Sequence, residues 1–303
     1  DTDGWHNARI VPYAPLPLPP AAAVFHYGAE VFEGLKAYRT AEGQVQLFRP
    51  MDNMRRMQDS AERIGLPAFD ADDAMQALRA LVDLDRRFVP AADGTSLYLR
   101  PFLIATDPSL GIHTIEHALF CIIASPSGSY YKEGIDPVRI MIETADVRAV
   151  RGGTGYAKCG GNYAASMRAG EEAEKKGFSQ VLWLDGVEMK YIEEVGAMNV
   201  MFKIDGKIVT PDISGGTVLP GITRKSCIEL LAANGYKVSE RRVSIDEVIE
   251  AQKKGTLNEA FGTGTAAVIS PVGMMEYKGV DYVVNGGKMG EITKWLYDTI
   301  TGI

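Results

Sequence analysis

Cysteine is scarce in this 303-residue chain: Cys121, Cys159 and Cys227, with no CxxC pair. A set this sparse and odd builds neither a disulfide framework nor a zinc site. It suits a reducing compartment, the cytoplasm or, had a transit segment been removed, an organelle matrix. Histidine is also rare: four residues without HExxH or HxH spacing, so no catalytic metal is expected. No apolar run reaches membrane-spanning length, no signal peptide opens the chain, and no internal repeat or low-complexity tract appears. Positive charge is outnumbered, 32 Lys and Arg against 39 Asp and Glu, for a net charge of −7. A mildly acidic chain argues against nucleic acid or an anionic membrane as main partner, but not against a local anion site.

What is present reads as two α+β units. The expected division is a smaller N-terminal α/β domain over 1–126, a linker over 127–137 and a larger C-terminal domain over 138–303. "RIVPY" reads as a short extended run, and "GLKAYRT" and "QVQLFR" flank "AEG" as a hairpin. After Pro50, the spacing of Met51, Met54, Met57, Ala61 and Ile64 predicts a helix that Gly65 and Pro67 stop, and Asp70 caps the next one. "TSLYLRPFLIAT" and "HALFCIIASP" read as buried strands. Further on, "VRIMIE", "SQVLWLDG", "VGAMNVMFKIDG", "KIVTPDI" and "TAAVISPVG" read as strands, and "AASMRAGEEAEKKG", "ITRKSCIELLAANG" and "SIDEVIEAQKKG" as helices.

Four stretches carry chemistry. "GGTGYAKCGGNY" sets Lys158 among five glycines, a pattern that suits close approach of backbone to a ligand. Desolvation or a nearby cation makes such a lysine a nucleophile able to form a Schiff base. The competing readings are a surface lysine in a loose loop and a P-loop, and the second fails because GxxxxGK[ST] is absent. "LPGITRKS" opens a helix at Ile222 and Thr223, where free N–H groups suit a phosphate or simply a capped end. "YIEEVGAMNV" places Glu193 and Glu194 at a strand mouth, either solvated or paired with a heterocyclic nitrogen. "LYLRP" puts Tyr98 and Arg100 on one strand face, where an inward arginine needs an anionic partner unless it snorkels.

"FHYGAEVFEGLKAYR", "LFRP", "YLRP", "KCGGNYAAS", "EEVGAMNV", "LPGITRKS" and "GTGTAAV" follow one another across nearly the whole chain. In that order they closely resemble the branched-chain-amino-acid aminotransferases, pyridoxal-phosphate enzymes of fold type IV. The resemblance implies the two-domain, D-amino-acid-aminotransferase-like fold, and a Lys158 that forms the internal aldimine with pyridoxal 5'-phosphate. It implies cofactor contacts from Arg49, Arg148, Tyr163, Glu194, Ile222, Thr223 and Thr265, with Glu194 holding the ring-nitrogen proton. It implies a substrate pocket from Tyr27, Phe32, Tyr98, Arg100, Tyr130, Met198, Ala266 and Ala267, in which Tyr98 and Arg100 meet the side-chain carboxylate of glutamate. The implied reaction is a reversible, ping-pong transfer of the amino group of L-Leu, L-Ile or L-Val to 2-oxoglutarate, by at least a homodimer. A D-amino-acid or (R)-amine aminotransferase, or an aminodeoxychorismate lyase, is the alternative on the same fold. Ala197 stands where some members carry threonine, and "TAAVIS" lacks the CxxC of some vertebrate members, so no redox switch is expected there.

Overall fold

A computed structural model of the protein describes residues 3–128 and 135–303. Tyr130 and most of the expected linker lie outside the described residues. The chain divides into two compact units, Asp1–Tyr130 with Ala157–Gly161, and Tyr131–Tyr156 with Asn162–Ile303. The short run carrying Lys158 therefore groups with the N-terminal unit, although the sequence reading places it within 138–303. Backbone contacts explain this: Cys159 bridges Val31, and the Lys158 carbonyl accepts the Phe32 N–H at 3.0 Å.

The first unit contains α1 (Ala23–Tyr27), β1 (Glu30–Phe32), β2 (Leu35–Arg39), β3 (Val45–Leu47), α2 (Pro50–Arg63), α3 (Ala71–Leu84), β4 (Ser96–Ala105) and β5 (Ala118–Ser127). β4 is the axis of an antiparallel sheet: β5 pairs along one side, β1 and β2 along the other, and β3 follows β2. Strand alternation sends Val31, Leu35, Ala37, Leu97, Leu99 and Leu103 to one face, where they pack with Met54, Met57, Ala61 and Leu78 of α2 and α3. The Asp70 carboxylate caps α3, accepting the N–H groups of Asp72 and Asp73. "RIVPY" joins no sheet among the described residues and stays exposed. One expectation fails: β5 is not buried through its length because it is an edge strand, with Ile123 exposed.

The second unit contains β6 (Val138–Ile142), most of α4 (Gly160–Lys175), β7 (Gln180–Leu184), β8 (Ile192–Val195), β9 (Asn199–Ile204), β10 (Lys207–Thr210), α5 (Ile222–Ala233), β11 (Val238–Glu240), α6 (Ile245–Lys253), β12 (Leu257–Gly264), β13 (Val268–Tyr277), β14 (Val280–Val283) and α7 (Glu291–Thr301). Its sheet runs β11-β10-β9-β12-β13-β6-β7-β8, with β14 on β13; β10–β11, β13–β6 and β6–β7 are parallel. The run "VGAMNVMFKIDG" is not one strand. Gly196 turns left-handed at φ 58°, and Val195 and Met198 exchange backbone hydrogen bonds across the turn between β8 and β9. "TAAVISPVG" likewise begins as a turn and becomes strand only at Val268. Among the described residues no helix is long and apolar enough to cross a membrane, and no acidic, cysteine or histidine cluster could hold a metal ion.

Candidate active site

On the first unit the sheet face opposite α2 and α3 gathers aromatic and cationic side chains. The Arg100 guanidinium lies 4.7 Å from the centre of the Phe32 ring and 5.4 Å from that of Tyr98. Its Nη2 donates to the Tyr98 hydroxyl at 3.1 Å, and its Nε is buried with no partner among the described residues. The tyrosine hydroxyl rests on Gly34, where a Cβ would stand 2.1 Å from it. Lys36 faces Tyr98 across the β2–β4 ladder, and burial lowers its proton affinity.

Half-buried Lys158 joins this group, its Nζ 4.9 Å from the Phe32 ring centre. Its amide donates to the Ser60 hydroxyl at 2.9 Å. Glu33 is fully buried and takes hydrogen bonds from Arg56 at 2.7 and 2.8 Å and from Asn53 at 2.8 Å. Burial alone would raise its carboxyl; Arg56, Lys158 and Asn53 outweigh that and hold it below the ordinary range. Gly160, in "KCGGN", lacks a side chain for a specific reason. The Glu30 carboxylate accepts the Gly160 N–H, and a Cβ at Gly160 would stand 2.0 Å from it.

Lys158, Phe32, Tyr98 and Arg100 thus come together. Arg49 stands apart at the start of α2, left-handed at φ 49°, with its Nε on Asp52 at 2.9 Å. Tyr27 lies in α1, 42% exposed, its hydroxyl donating to the Leu110 carbonyl. Sequence reasoning missed Asn53, Arg56, Ser60 and Glu33. For Asn53, Arg56 and Ser60 the available signal was polar residues at helical spacing inside the buried face of α2; Glu33, between β1 and β2, carries no such signal.

The second unit carries the other implied residues. Asp185 accepts the N–H groups of Val187, Glu188, Lys190 and Tyr191 at 2.7–3.2 Å, which secures the turn into β8. Burial would raise that carboxyl, but the four donors hold it below its ordinary value. β8 then presents Glu194, 3% exposed, whose Oε1 accepts the Leu219 N–H at 2.7 Å and lies 3.4 Å from Arg148 Nη2. The resemblance assigns Arg148 to a phosphate; here it pairs with Glu194 and donates to the carbonyls of Gly155 and Thr217, leaving Nε without a partner among the described residues. Glu193 is not a solvated strand end. It is 5% exposed, with Oε2 unpartnered among the described residues; burial raises its carboxyl, against the pull of the Thr217 hydroxyl and Arg148.

α5 begins at Ile222 and Thr223, both buried, after Gly221, and no side chain caps its first N–H groups among the described residues. Asn199 braces the approach, donating to the Leu219 carbonyl at 2.9 Å. Thr265, Ala266 and Ala267 form the β12–β13 turn, with Ala267 buried and Ala266 exposed. The turn ends at Val268, which holds φ 61°, a strained value for a β-branched residue. Met198 packs on this hairpin, and a Cβ at Gly262 would stand 2.9 Å from its Cε. Tyr163 lies half-buried in the first turn of α4. Arg148 Nε and Thr263 Oγ1 are buried polar atoms without partners among the described residues, which costs stability unless something meets them. Together with the uncapped α5 and the buried Glu194, they fit a group bearing an anionic phosphate and a basic ring nitrogen. Burial pushes the Cys227 thiol up to about 12, so it is inert.

The family described as amino-transferase class IV matches residues 30–274. Branched-chain-amino-acid aminotransferase 2 of Bacillus subtilis is 57% identical over 300 residues, covering 99% of this chain and 82% of that protein. Branched-chain-amino-acid transaminase 1 of the same organism is 53% identical over 301 residues, covering 99% and 84%. The crystal structure of the Escherichia coli branched-chain amino acid aminotransferase superposes with a TM-score of 0.81 at 28% identity, covering 94% of this chain and 89% of that one. A second crystal structure of a branched-chain amino acid aminotransferase, from T.th. and solved with pyridoxamine 5'-phosphate, superposes at 0.79 with 28% identity, covering 94% and 89%. With its two sheets, its lysine loop and the match over most of its length, the chain belongs to the class IV aminotransferases.

Proposed function

We propose that this protein is a branched-chain-amino-acid aminotransferase that moves the amino group of L-Leu, L-Ile or L-Val to 2-oxoglutarate by ping-pong kinetics, with pyridoxal phosphate as its resident cofactor. The observation that carries the reading is the meeting of Lys158, Phe32, Tyr98 and Arg100 on one face of the first unit. The identity to named branched-chain aminotransferases supports it.

By the resemblance, the residues that would hold the cofactor are Lys158, Arg49, Arg148, Tyr163, Glu194, Ile222, Thr223 and Thr265. When bound, this group supplies a protonated ring that accepts the electron pair left as an amino acid loses its α-proton. Glu194, balanced by Arg148, holds that ring proton. Lys158 Nζ takes the proton from the substrate Cα and delivers it in the return direction. Phe32 and Tyr98 wall an apolar branched side chain from water. Arg100, whose buried Nε has no partner among the described residues, meets the side-chain carboxylate when glutamate takes its place. The resemblance implies at least a homodimer.

The test is a panel of single half-reactions followed by cofactor absorption. L-Leucine and L-glutamate each convert the cofactor, and D-alanine does not. Conversion by D-alanine and not by L-leucine would replace this reading with the D-amino-acid alternative.

A further inference from the structure

α2 turns three polar side chains, Asn53, Arg56 and Ser60, into the interior of the first unit. Ser60 is 1% exposed. Its hydroxyl donates to the Arg56 carbonyl one turn earlier at 2.8 Å. That bond uses the only hydroxyl proton, so toward Lys158 the oxygen can only accept, and it takes the lysine amide at 2.9 Å. On the other side of the lysine, its carbonyl accepts from Phe32. The residue after Phe32 is Glu33, bound in two places to Arg56, whose carbonyl Ser60 holds. Both backbone groups of Lys158 are therefore gripped by partners that one buried ion pair ties together. The grip acts where the lysine chain begins, and the Nζ it directs stands over the Phe32 ring.

We propose that Ser60 is a positioning residue for Lys158, acting through the lysine's amide rather than its side chain; the proposal rests on the transamination reading above. Ser60 is not among the residues assigned to the substrate pocket, so its loss moves the reacting amine without removing an assigned binding group. A displacement of about 1 Å in a reacting group costs up to roughly a hundredfold in rate. The expected signature is a fall in kcat at nearly constant KM.

The experiment compares Ser60→Ala, which removes the acceptor, with Ser60→Thr, which keeps the hydroxyl, in the holoenzyme. Ser60→Ala lowers kcat about tenfold or more with the KM for L-leucine within about twofold, and Ser60→Thr restores most of the rate. A second measurement does not need turnover: deuterium exchange at the Lys158 amide, with and without cofactor, is faster in Ser60→Ala than in the wild type. Unchanged kcat and exchange in Ser60→Ala overturn the proposal. So does an equal loss of kcat, KM and thermal stability in both variants, which marks a packing role only. Should Ser60→Ala fail to fold, Ser60→Cys, similar in shape but a weaker acceptor, takes its place under the same criteria. A wild-type protein that transfers no amino group refutes the transamination reading, while the exchange comparison still judges the Ser60 tie.

Discussion

Replacing Arg56 by methionine strands a carboxylate in the interior. Glu33 is fully buried, and Arg56, itself 8% exposed, gives it two hydrogen bonds beside the one from Asn53. Breaking a buried pair costs about 3–5 kcal/mol. Protonation sets a ceiling on the charge part of that cost. Neutralising a carboxyl of unfolded pKa about 4.3 costs about 3.7 kcal/mol at pH 7 and about 1 kcal/mol at pH 5, at roughly 1.36 kcal/mol per pH unit. In the wild type the folded carboxyl is depressed, so its stabilisation is present above the unfolded value and lost only as pH falls through the folded one. Between pH 5 and 7 it adds no slope. In Arg56→Met burial prevails and the folded value rises above the unfolded one, so stability is lost as pH rises. Urea unfolding followed by circular dichroism should therefore show a deficit of about 3–5 kcal/mol at pH 7 that shrinks by about 2–3 kcal/mol at pH 5. Adding Glu33→Gln should recover part of the pH 7 loss. A deficit equal at both pH values would refute the argument.

Glu193→Gln should stabilise the second unit: its carboxyl is raised by burial, so the wild type loses stability as pH rises through the folded value. The gain should be present at pH 8 and vanish toward pH 4 in thermal melts. Gly290→Ala should destabilise by about 1–3 kcal/mol, lowering Tm by several degrees. Its Cβ would stand 2.0 Å from the Glu259 carboxyl carbon, and that carboxylate cannot withdraw without leaving the Ile292 and Thr293 donors at the start of α7. Arg100→Met should slow the half-reaction with L-glutamate about tenfold or more beyond any effect on L-leucine, because only glutamate brings a second carboxylate. Equal losses in single-turnover kinetics would instead make Arg100 a structural strand residue.

Local chemistry was legible where short-range rules decide. Pro50 opens α2, the methionine stripe faces the core, Asp70 caps α3, and period two sets Tyr98 beside Arg100. Elements whose tertiary partners decide them are less legible. β12 goes unread because Asn258, Glu259 and Thr263 break its apolar pattern. Glu259 is turned inward to serve the N-terminus of α7, a partner more than thirty residues away that no local window contains. The turn at Gly196 is hidden by apolar residues on both sides. Lys158 stands out by its glycines, but the groups that orient it, Ser60 and the Glu33–Arg56 pair, look in sequence like an ordinary helix and strand. For Glu193 the sequence leaves a solvated strand end and a paired carboxylate both open; its burial beside the Thr217 hydroxyl depends on a segment more than twenty residues on.

The run Ala157–Gly161 also bears on how the protein is made. β1 is paired by β4 along one side, and among the described residues it meets this later run on the other, through the Val31–Cys159 bridge. During synthesis, the Ser60 hydroxyl waits for an amide 98 residues further on. The first 130 residues can emerge and pair their strands, yet β1 keeps an open edge until roughly 30 more have been added. At about 5–20 residues per second that interval is about 2–6 s. Unpaired edges invite pairing with another chain. A nascent or truncated N-terminal unit ending near residue 130 is thus the form of this protein most exposed to aggregation, and the lysine loop is the segment that closes it.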